Sequence, residues 1–298
     1  MQQKQQSHAA INNRVIVSDA SQFASTGLNP LSETSISVDL AAAKNEHHTI
    51  RDAMERAKIA VRQVPAPPAS PDGVYAANWG LCIGDTVVYS KLPDQRTSEE
   101  PYVRQLFATD PELAARFTRQ IEPPHLFSGQ GDTLVCGDYL FCGQGYRTDP
   151  RMHGFLAGLF PEKEIISLQT VPVLNPNGSV FVNSITGLAD SYFYDLDLAL
   201  SILSPDTFAW CPKAFTPESQ AVLRQLTGFT KIEVDYNEAV RHFACNLISS
   251  GTSVVMSNKA PKLRASIEAA GFTTITPEIN ELSKGGGFIR CVSLTVSP

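Results

Sequence analysis

No stretch of the chain approaches the roughly twenty consecutive apolar residues a helix needs to cross a bilayer, which excludes a helical membrane protein. The N-terminus, Met1 to Ala10, is glutamine-rich and lacks the charged start and apolar run of a secretory leader, so a cytoplasmic location is expected. The cysteines at 82, 136, 142, 211, 245 and 291 include no CxxC pair and no tight cluster. Such spacing supports neither a zinc site nor a dense disulfide framework, and the expectation is free thiols with no metal and no cofactor. Basic residues are in deficit, 24 Lys and Arg against 30 Asp and Glu, for a formal net charge of −6. That field disfavours nucleic acid and anionic membranes as partners and suits a small cationic compound.

What remains is an ordinary globular composition, 43% hydrophobic over 298 residues, enough to bury a large core. Residues 1–13 read as a flexible N-terminal segment and residues 14–298 as a single domain, with a homodimer left open. Arg14–Ser18 reads as a strand and 49–63 as an amphipathic helix stopped by the prolines of 64–71. Gly137-Asp138 between two apolar runs predicts a tight hairpin. Further strands are expected over 181–183 and 193–200, with helices over 151–160, 217–226 and 260–270. Strands outnumber helices about two to one, which implies an α/β protein built from repeated strand-helix units.

The C-terminal stretch Gly285-Gly286-Gly287-Phe288-Ile289-Arg290-Cys291 places a thiol beside a glycine turn, on an apolar run that reads as a strand. Other polar groups stand beside glycines at strand ends: Asp72 and Asn78, Ser128 to Asp132, Gly143 to Thr148 with Arg147, and Asn246. Each alone reads as an ordinary turn or cap. Asp195 and Asp197 differ, since two carboxylates spaced by two on a strand share a face and repel unless a cation lies between them.

In this order the motifs PDGVYAANWG (71–80), GQGYRT (143–148), YDLDLAL (194–200), ACNLISSG (244–251) and GGGFIRC (285–291) resemble the guanidino-group-modifying superfamily of arginine deiminases, dimethylargininases, arginine dihydrolases and amidinotransferases. The resemblance covers most of the chain. It implies a five-bladed pseudosymmetric α/β propeller of ββαβ modules, pentein-like, with its site at the central channel. It also implies a cysteine that attacks the guanidinium carbon, a histidine that moves protons and carboxylates that hold the cation. Cys291 matches the nucleophile, Asn78 a substrate-binding position and Asp197 the carboxylate of the family's His-x-Asp motif.

Two positions depart from the family pattern. Asp195 stands where the histidine belongs, and Ser128 stands where the family's Phe-Glu-Gly-x-Gly-Asp carries its glutamate. An ionised Asp195 would favour the neutral thiol; to act as an acid its pKa must be raised by burial. His125, His153 and His242 match no catalytic position. The resemblance therefore implies catalytic roles for Cys291, Asp195 and Ser128, and substrate-binding roles for Asp72, Asn78, Asp132, Arg147, Asp197, Asn246 and Gly286. The expected activity is a C–N hydrolase acting on a small arginine-derived guanidino or amidine compound through a covalent Cys291 intermediate. The alternative is a degenerate homologue that binds a guanidino ligand or a protein partner without turnover.

Overall fold

Five three-stranded sheets form the frame of the protein in the computed structural model, which describes residues 11–32 and 37–297. Each is made by a ββαβ unit. The first combines β1 (Arg14–Ser18), α1 (Leu40–Arg56) and β2 (Ala60–Val64). The second runs β3 (Gly80–Ile83), β4 (Thr86–Tyr89), α2 (Glu99–Thr109), α3 (Pro111–Arg116) and β5 (Arg119–Ile121). The third is β6 (Thr133–Cys136), β7 (Tyr139–Gly143), α4 (Arg151–Leu159) and β8 (Glu164–Leu168). The fourth is β9 (Leu200–Ser204), β10 (Thr207–Trp210), α5 (Pro217–Gln225) and β11 (Thr230–Glu233). After α6 (Tyr236–His242) come β12 (Ile248–Ser249), β13 (Ser253–Val255), α7 (Pro261–Ala269) and β14 (Thr273–Ile275). The last strand, β15 (Leu294–Ser297), returns to pair antiparallel with β1 and completes the first unit.

In every sheet the first two strands are antiparallel and the third runs parallel to the second. A parallel pair needs a crossover, and a helix supplies it each time. The five units meet around a channel, because Cys82 of β3, Thr133 of β6, Leu200 of β9, Leu247 before β12 and Thr295 of β15 all line one cavity. This is the five-bladed α/β propeller. An aromatic cluster of Phe141, Phe208 and Phe229, with ring centroids 5.5 to 6.1 Å apart, packs β7 against β10. Removing the fully buried Phe141 ring would cost about 3–5 kcal/mol.

Several expected elements are corrected. The first helix begins at Leu40 rather than 49, because the Asp39 carboxylate accepts the N–H groups of Ala41 and Ala42 and a buried stripe of Ala43, His47, Ile50 and Met54 follows. It ends at Arg56, and residues 60–63, read as helix, instead form a strand with Val64 that pairs in parallel register with β1. Residues 193–200 are not a strand: Asp195 precedes a short 3-10 turn over Leu196–Leu198, and the strand begins at Leu200. Asp195 and Asp197 thus do not share a strand face. Residues 181–183 form only an isolated bridge, Val182 with Ala189. Cys291 lies in a turn three residues before β15 rather than on a strand.

The tight hairpin at Gly137-Asp138 is present, with Cys136 paired to Tyr139 and Gly137 at φ +56°. Of the segment read as flexible, residues 1–10 lie outside the described residues, while Asn12 donates to the Ser249 carbonyl and Asn13 to that of Ser297. No helix among the described residues is long and apolar enough to cross a membrane.

Candidate active site

The turn that carries Cys291 is fixed from all sides. The Tyr75 hydroxyl donates to the Leu282 carbonyl at 2.7 Å and the Tyr194 hydroxyl to that of Gly286 at 2.7 Å. The Ala77 N–H donates to the Cys291 carbonyl at 2.9 Å. Gly286 sits at φ +88°, and a Cβ there would collide with the Asn29 side chain, so both conformation and space demand glycine. Beneath the turn, the Asn246 side-chain oxygen accepts the N–H groups of Arg290 at 2.9 Å and Cys291 at 3.1 Å. The amide of Asn246 donates to Cys291 Sγ at 3.1 Å.

Around the sulfur stand several buried carboxyl groups, with the Arg96 and Arg147 guanidinium groups on the same cavity wall. Asp197 lies with Oδ2 at 3.5 Å and Oδ1 at 3.8 Å from Cys291 Sγ. Asp195 accepts from the Ser128 hydroxyl at 2.7 Å on one oxygen and from the Asn78 amide at 2.8 Å on the other. Asp132 accepts the Leu196 N–H at 3.0 Å, and its second oxygen has no partner. Asp72, Asp132, Asp195 and Asp197 are each at most 5% exposed. Among the described residues, none of the four stands in an ion pair within 4 Å.

Burial is the main reason their protons are held. It lifts Asp72 to about 6 and, helped by the Asp195 charge, Asp132 to about 7, from an ordinary 3.8. Asp195 and Asp197 are raised by burial as well, Asp197 also by the charge of Asp195. The Cys291 thiol is pushed well above its usual range by burial and then by Asp197 and Asp195. Such a thiol is a poor nucleophile until a positive charge arrives.

A cavity of about 40 Å³ opens onto this sulfur, space for little more than a water molecule. Asp72, Asn78, Ser128, Arg147, Asp195 and Cys291 line it. The other four residues proposed from sequence are not on its wall. Asp132 lies behind Leu196, and Asp197 faces a different cavity on the far side of the sulfur. Asn246 is fully buried and holds the Cys291 turn rather than the cavity; Gly286 contributes its carbonyl to Tyr194 while Gly285 reaches the wall.

Arg96 lines the cavity and was missed from sequence. It donates to the Asn78 side-chain oxygen at 2.9 Å and to the carbonyls of Asp72 and Tyr75, and pairs with Glu99 through two nitrogens. The Arg96–Glu99 spacing of three was readable, but the same spacing is common on exposed helix faces. Arg147, 5.3 Å from the Tyr194 ring centre, donates to the Leu28 carbonyl at 2.8 Å and to Asp190 at 3.1 Å. Among the described residues no histidine lines the cavity. His153 is held on α4 by Ser167 and the Gly143 carbonyl. Among the described residues no group of three or more His, Cys, Asp or Glu side chains is arranged to hold a metal ion.

No family model matches the chain. It is 28% identical over 273 residues to a dimethylarginine dimethylaminohydrolase of Mycobacterium tuberculosis, covering 91% of this chain and 81% of that protein. It is 29% identical over 231 residues to the bifunctional arginine dihydrolase/ornithine cyclodeaminase AgrE of Nostoc, covering 76% of this chain but only 29% of that longer protein. Among solved structures, the N-terminal domain of ArgZ, an arginine dihydrolase of cyanobacteria bound to its substrate as a cysteine-to-serine variant, superposes with a TM-score of 0.82 at 25% identity. That match covers 95% of this chain and 98% of the ArgZ domain. With five ββαβ units and a cysteine on a cavity wall among carboxylates, the chain is similar in sequence and fold to these hydrolases of arginine compounds, members of the guanidino-group-modifying superfamily.

Proposed function

We propose that this protein hydrolyses the guanidino or amidine group of a small arginine-derived compound through a covalent intermediate on Cys291. The observation that carries the reading is the set of buried carboxylates around the Cys291 sulfur with no ion-pair partner. A bound guanidinium would bring a further positive charge into direct contact with these carboxyl groups and the thiol. It lowers the pKa of both thiol and carboxylates, and so activates its own attacker. The relatives named above are hydrolases of arginine compounds, which supports the same substrate class.

The proton steps follow from the neighbours. Asp197, in hydrogen-bond reach of Sγ, takes the thiol proton as the S–C bond to the guanidinium carbon forms. Asp195, whose pKa burial raises, serves as the acid that gives a proton to the departing amine as the C–N bond breaks. A water then attacks the thiouronium carbon and returns a proton to Asp195. The C–S bond breaks as the hydroxyl proton on the carbon passes to the released amine, the ureido product leaves, and the thiolate recovers its proton from Asp197. Ser128 and Asn78 hold the Asp195 carboxyl in place.

A second reading is binding without turnover. It is favoured by Asp195 itself, whose two oxygens are already engaged by Ser128 and Asn78, a fixed arrangement unlike a mobile imidazole. The two readings separate by intact mass after incubation with chloroacetamidine. Turnover chemistry requires a single adduct that is absent from Cys291→Ala; no Cys291-dependent adduct between neutral and alkaline pH would leave the binding reading alone. Citrulline or urea released from arginine compounds by an Asp195→His, Ser128→Glu double variant, but not by the natural chain, would also favour binding.

A further inference from the structure

Behind the Cys291 turn lies a second cavity that the reaction above does not use. Its volume is about 360 Å³, nine times that of the cavity at the sulfur and within the range of small-molecule sites. Its walls are apolar, with Leu134 and Val135 from β6, Leu200 and Ile202 from β9, and Leu247 before β12. The exposed hairpin turns at Gly84 and Gly137 frame its outer end, and Lys163 stands beside them, donating to the Gly137 carbonyl at 2.7 Å.

At the inner end the cavity meets Arg290, Gln130 and Asp197. The Arg290 guanidinium donates only to neutral acceptors: the Ser293 carbonyl at 2.6 Å, the Ser293 hydroxyl at 3.1 Å and Gln130 Oε1 at 2.8 Å. Among the described residues it forms no ion pair within 4 Å. Asp197 borders the same cavity but makes no direct pair with this guanidinium, whose hydrogen bonds go to Ser293 and Gln130. A cation at the closed end of an apolar chamber, with a second at the rim, is complementary to an anion with an apolar tail.

We propose that this rear cavity binds a small carboxylate carrying a short apolar chain, with the carboxylate on Arg290 and the chain between β6 and β9. An aliphatic ammonium or guanidinium compound is excluded by the same two cations. Through Asp197, which borders this cavity and also lies 3.5 Å from Cys291 Sγ, an occupant would be felt at the thiol. The proposal does not rest on turnover, so it is tested equally on the natural chain and on Cys291→Ala.

The test is calorimetric titration with hexanoate, hexan-1-ol and hexylamine. Hexanoate is expected to bind once per chain with Kd of about 1 mM or tighter. Arg290→Gln should weaken it about tenfold, the loss of a charge-assisted contact. Val135→Trp, which fills the chamber from its wall, should abolish it. Hexan-1-ol should bind at least about tenfold more weakly than hexanoate, and hexylamine not at all. Absence of saturable hexanoate binding, unchanged binding in Val135→Trp, or hexylamine binding as well as hexanoate would each overturn the proposal. Should Arg290→Gln fail to fold, the comparison of the three ligands on the natural chain still decides.

Discussion

The two ends of the central channel differ in what they invest. At the front, about 40 Å³ is bordered by Asp72, Asp195, Arg96, Arg147 and the Cys291 thiol, each fixed by hydrogen bonds or ion pairs to its neighbours. At the rear, about 360 Å³ is walled mainly by aliphatic side chains, and Cys82 on that wall is a thiol raised by burial with no carboxylate beside it. Both cysteines are buried and both are held neutral, so burial alone does not mark a nucleophile. What distinguishes Cys291 is placement: a side chain, Asn246, built to hold its backbone and its sulfur at once.

The largest effect that would break this contrast is loss of the sulfur. Cys291→Ala should abolish adduct formation and lower any turnover by at least about a thousandfold, whereas Cys82→Ala should leave both unchanged. Mass spectrometry and product assay on the two variants check it, and equal losses would erase the distinction between the ends. Next, Asn246→Ala leaves two buried N–H groups without an acceptor. It should cost about 2–4 kcal/mol in chemical denaturation and slow adduct formation on the remaining folded protein.

Glycine substitutions sharpen the same comparison. Gly286→Ala at the front forces a Cβ onto Asn29 at φ +88° and should destabilise by about 2 kcal/mol or more. Gly84→Ala at the rear rim, also left-handed at φ +59° but with open space around it, should cost about 1 kcal/mol. Denaturation midpoints of the two variants measure the difference directly.

A further difference is expected in pH dependence. Asp72 and Asp132 are raised in the folded chain to about 6 and about 7, from 3.8. The folded state therefore binds more protons than the unfolded state between about pH 4 and 7. The stability these groups contribute is complete below about pH 4 and is lost as pH rises through 6 and 7. The melting temperature of the ligand-free protein, relative to Asp132→Asn, should fall across that window. A bound guanidinium should oppose the fall, because it favours the ionised carboxylates.

Family and fold were legible because motif order survives where identity does not. The Gly137-Asp138 hairpin follows from two residues whose backbone preferences are strong and local. Element boundaries were less legible. The stretch Ala60–Val64 alternates in a way that suits a helix end as well as a strand, and only pairing with β1 decides it. The reading of 193–200 as a strand failed because the Asp132 carboxylate captures the Leu196 N–H, a contact across 64 residues that no local pattern announces.

Residue identity alone places Cys291 at the end of a glycine-rich turn and puts an aspartate at 195 and a serine at 128. These are matters of residue identity, fixed before folding. It took the folded chain to show that Asn246 positions the thiol, that Asp197 lies beside the sulfur and also borders the rear cavity, and that Arg290 faces that cavity with no ion pair within 4 Å among the described residues. Those facts depend on closure of the ring by β15 against β1, which brings the last residues of the chain to the first, and on burial, which raises the pKa of Asp195 and Asp197 beside the sulfur.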